Sequence, residues 1–210
     1  VHQANMHSTM MFFTEQGRLY WTKVYELPEG NRQSKGRALQ NMINIQKGDK
    51  VCAFIHVKNL NDMEYVQNHY LIFATKDGLM KKTTLESYSR PRANGIIALG
   101  LREGDRLIRV TLTDGNSQML VASYNGKVVR FPEDTVRPMG RTATGVRAIK
   151  LDEDGQDRVI GMICVEEGSK ESVLVISEKG FGKRTDLDDE NGEPIYRITN
   201  RGGKGVKTMN

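Results

Sequence analysis

Internal repetition constrains this chain more than any other feature. An apolar run closing on a turn glycine occurs four times: MFFTEQG ending at Gly17, LIFATKDG at Gly78, MLVASYNG at Gly126 and VLVISEKG at Gly180. These glycines are spaced by 61, 48 and 54 residues. A second glycine ends a basic loop in every copy, at Gly36, Gly95, Gly145 and Gly205. A third marker, an aspartate opening a further apolar run, stands at Asp49, Asp105 and Asp157. Units of this length, built from short strands, specify a radial array rather than a layered domain.

The expected fold is therefore all-β, a propeller-like array of about four repeated four-stranded blades, open and truncated at both ends. Residues 1–210 form one partial domain, with repeats starting near 11, 71, 119 and 173 and residues 1–10 left over from a preceding unit. An unrelated all-β sandwich is the competing architecture. Each apolar run and the strand after its glycine read as a hairpin, the glycine supplying the positive φ that such turns need. After the first basic loop, ALQNMINI (from Ala38) reads as the next strand. The link KNLNDMEYVQNHY, from Lys58, reads as a surface excursion. Helical periodicity is scarce, so any helix should be a single turn. DLDDENGEP, from Asp186, lengthens the fourth copy. The acidic turn DEDGQD, Asp152 to Asp157, lacks the late glutamate of a calcium loop and reads as solvated.

Hydrophobic residues make up 38% of the chain, which suits thin blades better than one deep core. Lys and Arg number 31 against 26 Asp and Glu, a net charge of +5, so the placement of charge matters more than its total. No apolar run approaches the ~20 residues a membrane-crossing helix needs, and VHQANMHSTMMFF lacks the order of a signal peptide. Cys52 and Cys164 occupy different repeat positions and read as buried free thiols in a reducing, cytoplasmic setting. His2, His7, His56 and His69 share no ligand spacing; His56 falls on a strand. No nucleophile with a base and no Walker-type loop occurs. The expectation is no catalytic residue and no metal site, with Tyr20 and Trp21 packed in the first blade.

The basic residues follow the repeat. Four positions after the turn glycine stand Trp21, Lys82, Arg130 and Arg184; three positions after it, Tyr20, Lys81, Val129 and Lys183. Arg18 and Lys23 make up for the missing cation of the first copy, and Lys127 follows Gly126. Neighbours on a strand face opposite ways, so at least one of each pair is expected on an outward surface or at an unburied strand end. In the loops, Arg32, Arg141 and Arg201 each precede their glycine by four residues, and Arg90 and Arg92 substitute in the second copy. Lys35 and Lys204 directly precede the glycine; Arg37, Arg147 and Lys207 follow it. Cations at matching points of a radial unit form a belt, and a curved positive belt suits duplex DNA. Neutralising ~6–10 phosphates would make affinity fall ~10³–10⁵-fold between 50 and 200 mM salt. Contacts spread along the arc can offset the cost of bending. Two other readings stand: solubilising surface charge, and a protein-interaction propeller working through apolar patches.

The phrases GRLYWTKVYELPEG, GKVVRF…RPMGRTATGVR and GFGKRT resemble the blades of the C-terminal DNA-wrapping domain of gyrase A proteins, the β-pinwheel. That resemblance implies blades that exchange strands and a basic rim that wraps duplex DNA, right-handed, to direct negative supercoiling by a type IIA topoisomerase (DNA gyrase). It places the cleaving tyrosine on an N-terminal domain of the same polypeptide, and the ATPase, with ATP and Mg, on the gyrase B protein. Both would be partners, and no cofactor is expected here. One departure concerns the family's Q-R-R-G-G-K-G box, which belongs to the first blade. Arg201-Gly202-Gly203-Lys204-Gly205 matches its last five letters in the fourth copy, and reads as a box-like variant of the ordinary loop. The true box is then expected before residue 1. The related domain of topoisomerase IV, which lacks the box, is the alternative within the same class.

Overall fold

The computed structural model describes residues 3–153 and 155–208. Val1 and His2 of the leftover unit, Asp154 of the acidic turn, Met209 and Asn210 lie outside the described residues. Repeat 1 supplies β1 (Thr9–Thr14), β2 (Arg18–Lys23) and β3 (Val51–Val57). Repeat 2 supplies β4 (Tyr70–Thr75), β5 (Leu79–Thr84), β6 (Ile96–Ile97) and β7 (Leu107–Thr113). Repeat 3 supplies β8 (Ser117–Ser123), β9 (Lys127–Pro132), β10 (Val146–Arg147) and β11 (Val159–Glu166). Repeat 4 supplies β12 (Ser172–Ile176), β13 (Gly182–Asp186) and β14 (Val206–Lys207). β1 begins at Thr9, so part of the expected leftover already belongs to the first blade.

The sheets are β3-β1-β2-β6, β10-β5-β4-β7 and β11-β8-β9-β14, each four-stranded, and a two-stranded β12-β13. One edge strand of every complete sheet comes from the following repeat, so the blades are laced together. The fourth blade departs from the expected four strands, because its hairpin has neither an inner partner nor an exchanged one among the described residues. β7 touches both β3 and β11, which places these strands toward the hub. The exchanged strands β6, β10 and β14 lie on the opposite edge of each sheet, the perimeter.

Each sequence marker has a physical origin in this lacing. The exchanged segment docks through matching bonds, Ala98 N–H to Gly17 O, Ala148 N–H to Gly78 O and Thr208 N–H to Gly126 O, at 2.7–2.9 Å. Just before it the chain passes over the preceding blade at Gly95 (φ 65°), Gly145 (φ 104°) and Gly205 (φ 76°). A Cβ at Gly95 or Gly205 would sit 2.6 Å from a strand carbonyl, of Leu19 and Val128 respectively, and one at Gly145 would press as closely on Met80 O. Only glycine tolerates both the φ and the approach. The aspartates are latches. Oδ1 of Asp49, Asp105 and Asp157 accepts from the backbone N–H of Gln16, Asp77 and Asn125, the residues just before the turn glycines, at 3.0–3.1 Å.

The core lies between blades. Phe13 packs edge-on against Phe73, ring centroids 5.6 Å apart, within the cluster joining blades 1 and 2. Ile72, Ala74 and Met80 meet Met119, Val129 and Phe131 between blades 2 and 3. A central strand such as β4 is therefore buried on both faces, its odd residues toward one neighbour and its even residues toward the other. Between blades 3 and 4 the cluster is smaller, built on Leu120, Val128, Val165, Leu187 and Tyr196.

Two expectations about connections are corrected. The link after β3 holds α1 (Met63–Asn68), longer than one turn, whose first turn is capped by Asp62 Oδ1 accepting from Tyr65 N–H at 3.1 Å. Leu60 and Val66 are buried in the first inter-blade cluster, so this link is anchored rather than a free excursion. ALQNMINI is not a strand. Residues Leu39–Asn41 form a 3-10 turn, and Ile43 packs on Met10, Phe12 and Tyr20. Its counterparts become strands only by pairing with the hairpin of the preceding repeat, and among the described residues no such hairpin stands before the first repeat.

Candidate nucleic-acid interface

The strand cations and the loop cations have separate fates. Lys81, Lys82 and Arg130 are all buried, although at least one of each adjacent pair is expected on an outward surface or at an unburied strand end. Neighbouring side chains do face opposite ways on β5 and β9, but both directions lead into an adjoining blade or its connecting segment. What recurs four positions after the turn glycine is a stitch to the next repeat. Trp21 Nε1–H donates to Tyr88 O at 3.1 Å. Lys82 Nζ pairs with Glu133 at 2.8 Å beneath the Tyr70 ring. The Arg130 guanidinium donates to Leu187 O at 3.0 Å and to Asp188 Oδ1 at 2.9 Å, with Nε–H on Gln118 Oε1 at 2.6 Å. Arg184 holds the same position in repeat 4 and is exposed, as is Lys183.

Lys81 faces the other way, toward blade 1. Its Nζ donates to Tyr88 Oη at 3.2 Å, to Ala98 O at 2.5 Å and to the carbonyl of Arg141, with the Phe73 ring 4.8 Å away. Burial, and secondarily the Arg141 charge, lower its pKa to about 7. Lys81 thus ties repeat 2, including the segment it lends to blade 1, to repeat 3 at one atom.

On the perimeter the loop cations meet solvent. Arg90 and Arg92 stand on the loop leading into β6, Arg141 and Arg147 on the segment leading into and forming β10, and Arg201, Lys204 and Lys207 on that of β14. All are exposed except Arg141, which is half-buried. Arg32, Lys35 and Arg37 occupy the matching loop of repeat 1, exposed throughout. Some perimeter cations are partly committed. Arg201 donates to Thr135 O at 3.1 Å and to Arg147 O at 3.3 Å. Arg18 donates to Asn94 O at 3.1 Å, Lys23 to Thr9 Oγ1 at 3.0 Å, and Lys127 pairs with Asp152 at 2.5 Å.

Two cations belong with this set that the spacing of the basic loops did not single out. Arg137 and Arg197 are exposed, beside the parallel bridges Lys82–Pro138 and Arg130–Ile198 where the chain crosses to the preceding blade. Their signal was an equal offset from Gly145 and Gly205. The box-like stretch behaves as an ordinary crossover. Lys150 N–H donates to Gly203 O just as Gly100 N–H donates to Ala143 O one repeat earlier, at 2.8 and 3.2 Å. Cys52 and Cys164 form no disulfide and are half-buried, and burial with the nearby Glu15 charge pushes the Cys52 thiol up to about 12. No group of three His, Cys, Asp or Glu among the described residues could hold a metal ion.

A wheel of laced antiparallel blades with its solvent-facing cations on the crossover loops defines a class, the strand-exchanging β-pinwheels. The family model described as "DNA gyrase C-terminal domain, beta-propeller" matches residues 8–58, 69–114, 118–166 and 171–210, one match per repeat. The chain belongs to that family. It is 44% identical over 202 residues to the gyrase A protein of Staphylococcus aureus (strain NCTC 8325 / PS 47), covering 96% of this chain and 21% of that protein. It thus spans about a fifth of that relative's length. The C-terminal domain of a DNA topoisomerase IV superposes with a TM-score of 0.81 at 26% identity, covering 97% of this chain and 59% of the other. A DNA gyrase A C-terminal domain gives 0.74 at 22% identity, with 97% and 60% covered, and shares the fold.

Proposed function

We propose that this chain is the non-catalytic, duplex-DNA-binding and DNA-bending module of a gyrase-type type IIA topoisomerase. The observation that carries the reading is the recurrence of exposed cations on the crossover loops of consecutive blades, all on the edge away from the hub. Such an edge offers phosphates a curved track without reading sequence. The curvature of the array converts contacts with successive blades into a bend, and each added blade offsets part of its elastic cost. The chain contributes binding and geometry, not bond breaking. Strand cleavage falls to an N-terminal domain of the same polypeptide, and ATP and Mg chemistry to the gyrase B protein, both as partners. A cytoplasmic setting accords with half-buried free thiols, and no helix of the described residues is long and apolar enough to cross a membrane.

A gel-shift titration with a duplex at 50 and 200 mM salt tests this directly. Binding that weakens ~10³-fold or more is expected if six or more phosphates are engaged; absent or salt-insensitive binding contradicts the reading. A capturing, topoisomerase IV-like role is the second reading, favoured by the TM-score of 0.81 to that domain. Ligation of nicked circles in the presence of the protein separates them, since only a full wrap traps positive supercoils.

A further inference from the structure

We propose that Arg90, Arg92 and Arg141 form a single phosphate-binding notch between the crossover loops of repeats 2 and 3, and that Lys81 is its positioning residue. This rests on the DNA-binding reading above. The three arginines line one cavity of about 410 Å³ together with Ser87, Ser89 and Glu86. Two come from the loop that laces repeat 2 to blade 1, the third from the loop that laces repeat 3 to blade 2. Consecutive crossovers thus bring cationic residues to the lining of one concavity. Among the described residues Glu86 is the sole acid lining it, and none of the three arginines forms an ion pair. Three arginines lining one hollow without an ion-pair partner concentrate positive charge that an entering anion would offset. A phosphodiester offers two oxygens that share one negative charge, in the geometry guanidinium forks match. The Ser89 hydroxyl is already donated to Glu86 O at 2.8 Å, which leaves Ser87 as the hydroxyl that can turn to it.

Lys81 is tied to this hollow through Arg141. Its Nζ holds the backbone carbonyl of Arg141, and it is anchored in turn on Tyr88 and on Ala98, which follows β6. One ammonium therefore fixes the Arg141 loop relative to the exchanged segment of repeat 2. Blade 3 has Val129 at the equivalent position, so the notch is a property of this junction rather than of every blade.

The test uses the whole 210-residue chain, a short duplex, and the slope of log affinity against log salt. If the arginines share one phosphate, R90A, R92A and R141A each weaken binding several-fold, yet the triple variant lowers the slope by only about 0.9, the value for one phosphate. A fall near three times that value means three independent contacts, and no change means none; either overturns the notch while leaving DNA binding in place. Failure of the wild-type chain to bind duplex overturns the underlying reading instead. For Lys81, K81M is expected to weaken binding in the wild-type background and to add nothing in R141A, with K81R recovering part of the loss. Equal losses in both backgrounds would reduce Lys81 to a general stabiliser. Inorganic phosphate at millimolar concentration should compete weakly with duplex in the wild type and not in the triple variant. Competition as strong as that of duplex would assign the notch to a free anion and overturn its backbone role.

Discussion

Lys82 and Glu133 are 5% and 0% exposed in their side chains and lie 2.8 Å apart, so neither can lose the other without stranding a charge. Glu133 is held further by Thr113 Oγ1–H at 2.6 Å and Ser117 N–H at 3.3 Å. Breaking a buried pair from one side costs about 3–5 kcal/mol, whereas replacing both partners by apolar groups is often close to neutral. Lys82→Met should therefore lower unfolding free energy by about that amount in a denaturant titration. Adding Glu133→Leu should restore much of it. A single variant as stable as the wild type would mean the pair is not closed off from water. At this scale the recurrence of residue types was plain in the sequence, but its meaning was not. Trp21, Lys82 and Arg130 share a position because each must reach into the next repeat, a demand that appears only once blades are stacked.

At the scale of elements, crossing glycines and latch aspartates were legible because each answers a local need: a φ that only glycine accepts, or a turn N–H that requires an acceptor. The failure at ALQNMINI has the opposite cause. A two-residue exchanged strand has no stability of its own and exists only when the preceding hairpin is there to pair with it. The same dependence grades the blades. β4 and β5 are sandwiched and almost wholly buried, whereas β12 alternates exposed and half-buried residues and lacks both outer partners among the described residues. Backbone amides of β12 and β13 should exchange with deuterium well before those of β4 and β5. Uniform protection across the four hairpins would contradict this ordering.

For the whole molecule, radial architecture was readable from three markers recurring in one order, and the exposure of the loop cations on the circumference was readable from the loops alone. What could not be read was the division of labour. Lys81, Lys82 and Arg130 tie neighbouring repeats together, while most crossover cations face solvent, Arg137 and Arg197 among them. The central claim is that the outward set, and not the inward one, meets the phosphates. The most direct measurement compares duplex affinity and its salt slope for the wild-type chain and a variant with Arg137, Arg147, Lys204 and Lys207 changed to glutamine. All four side chains are exposed and make no ion pair among the described residues, so melting should be unchanged while the slope drops by about 0.9 for each phosphate released. A variant that melts like the wild type and keeps its full salt slope would show that the perimeter is not where the double helix lies.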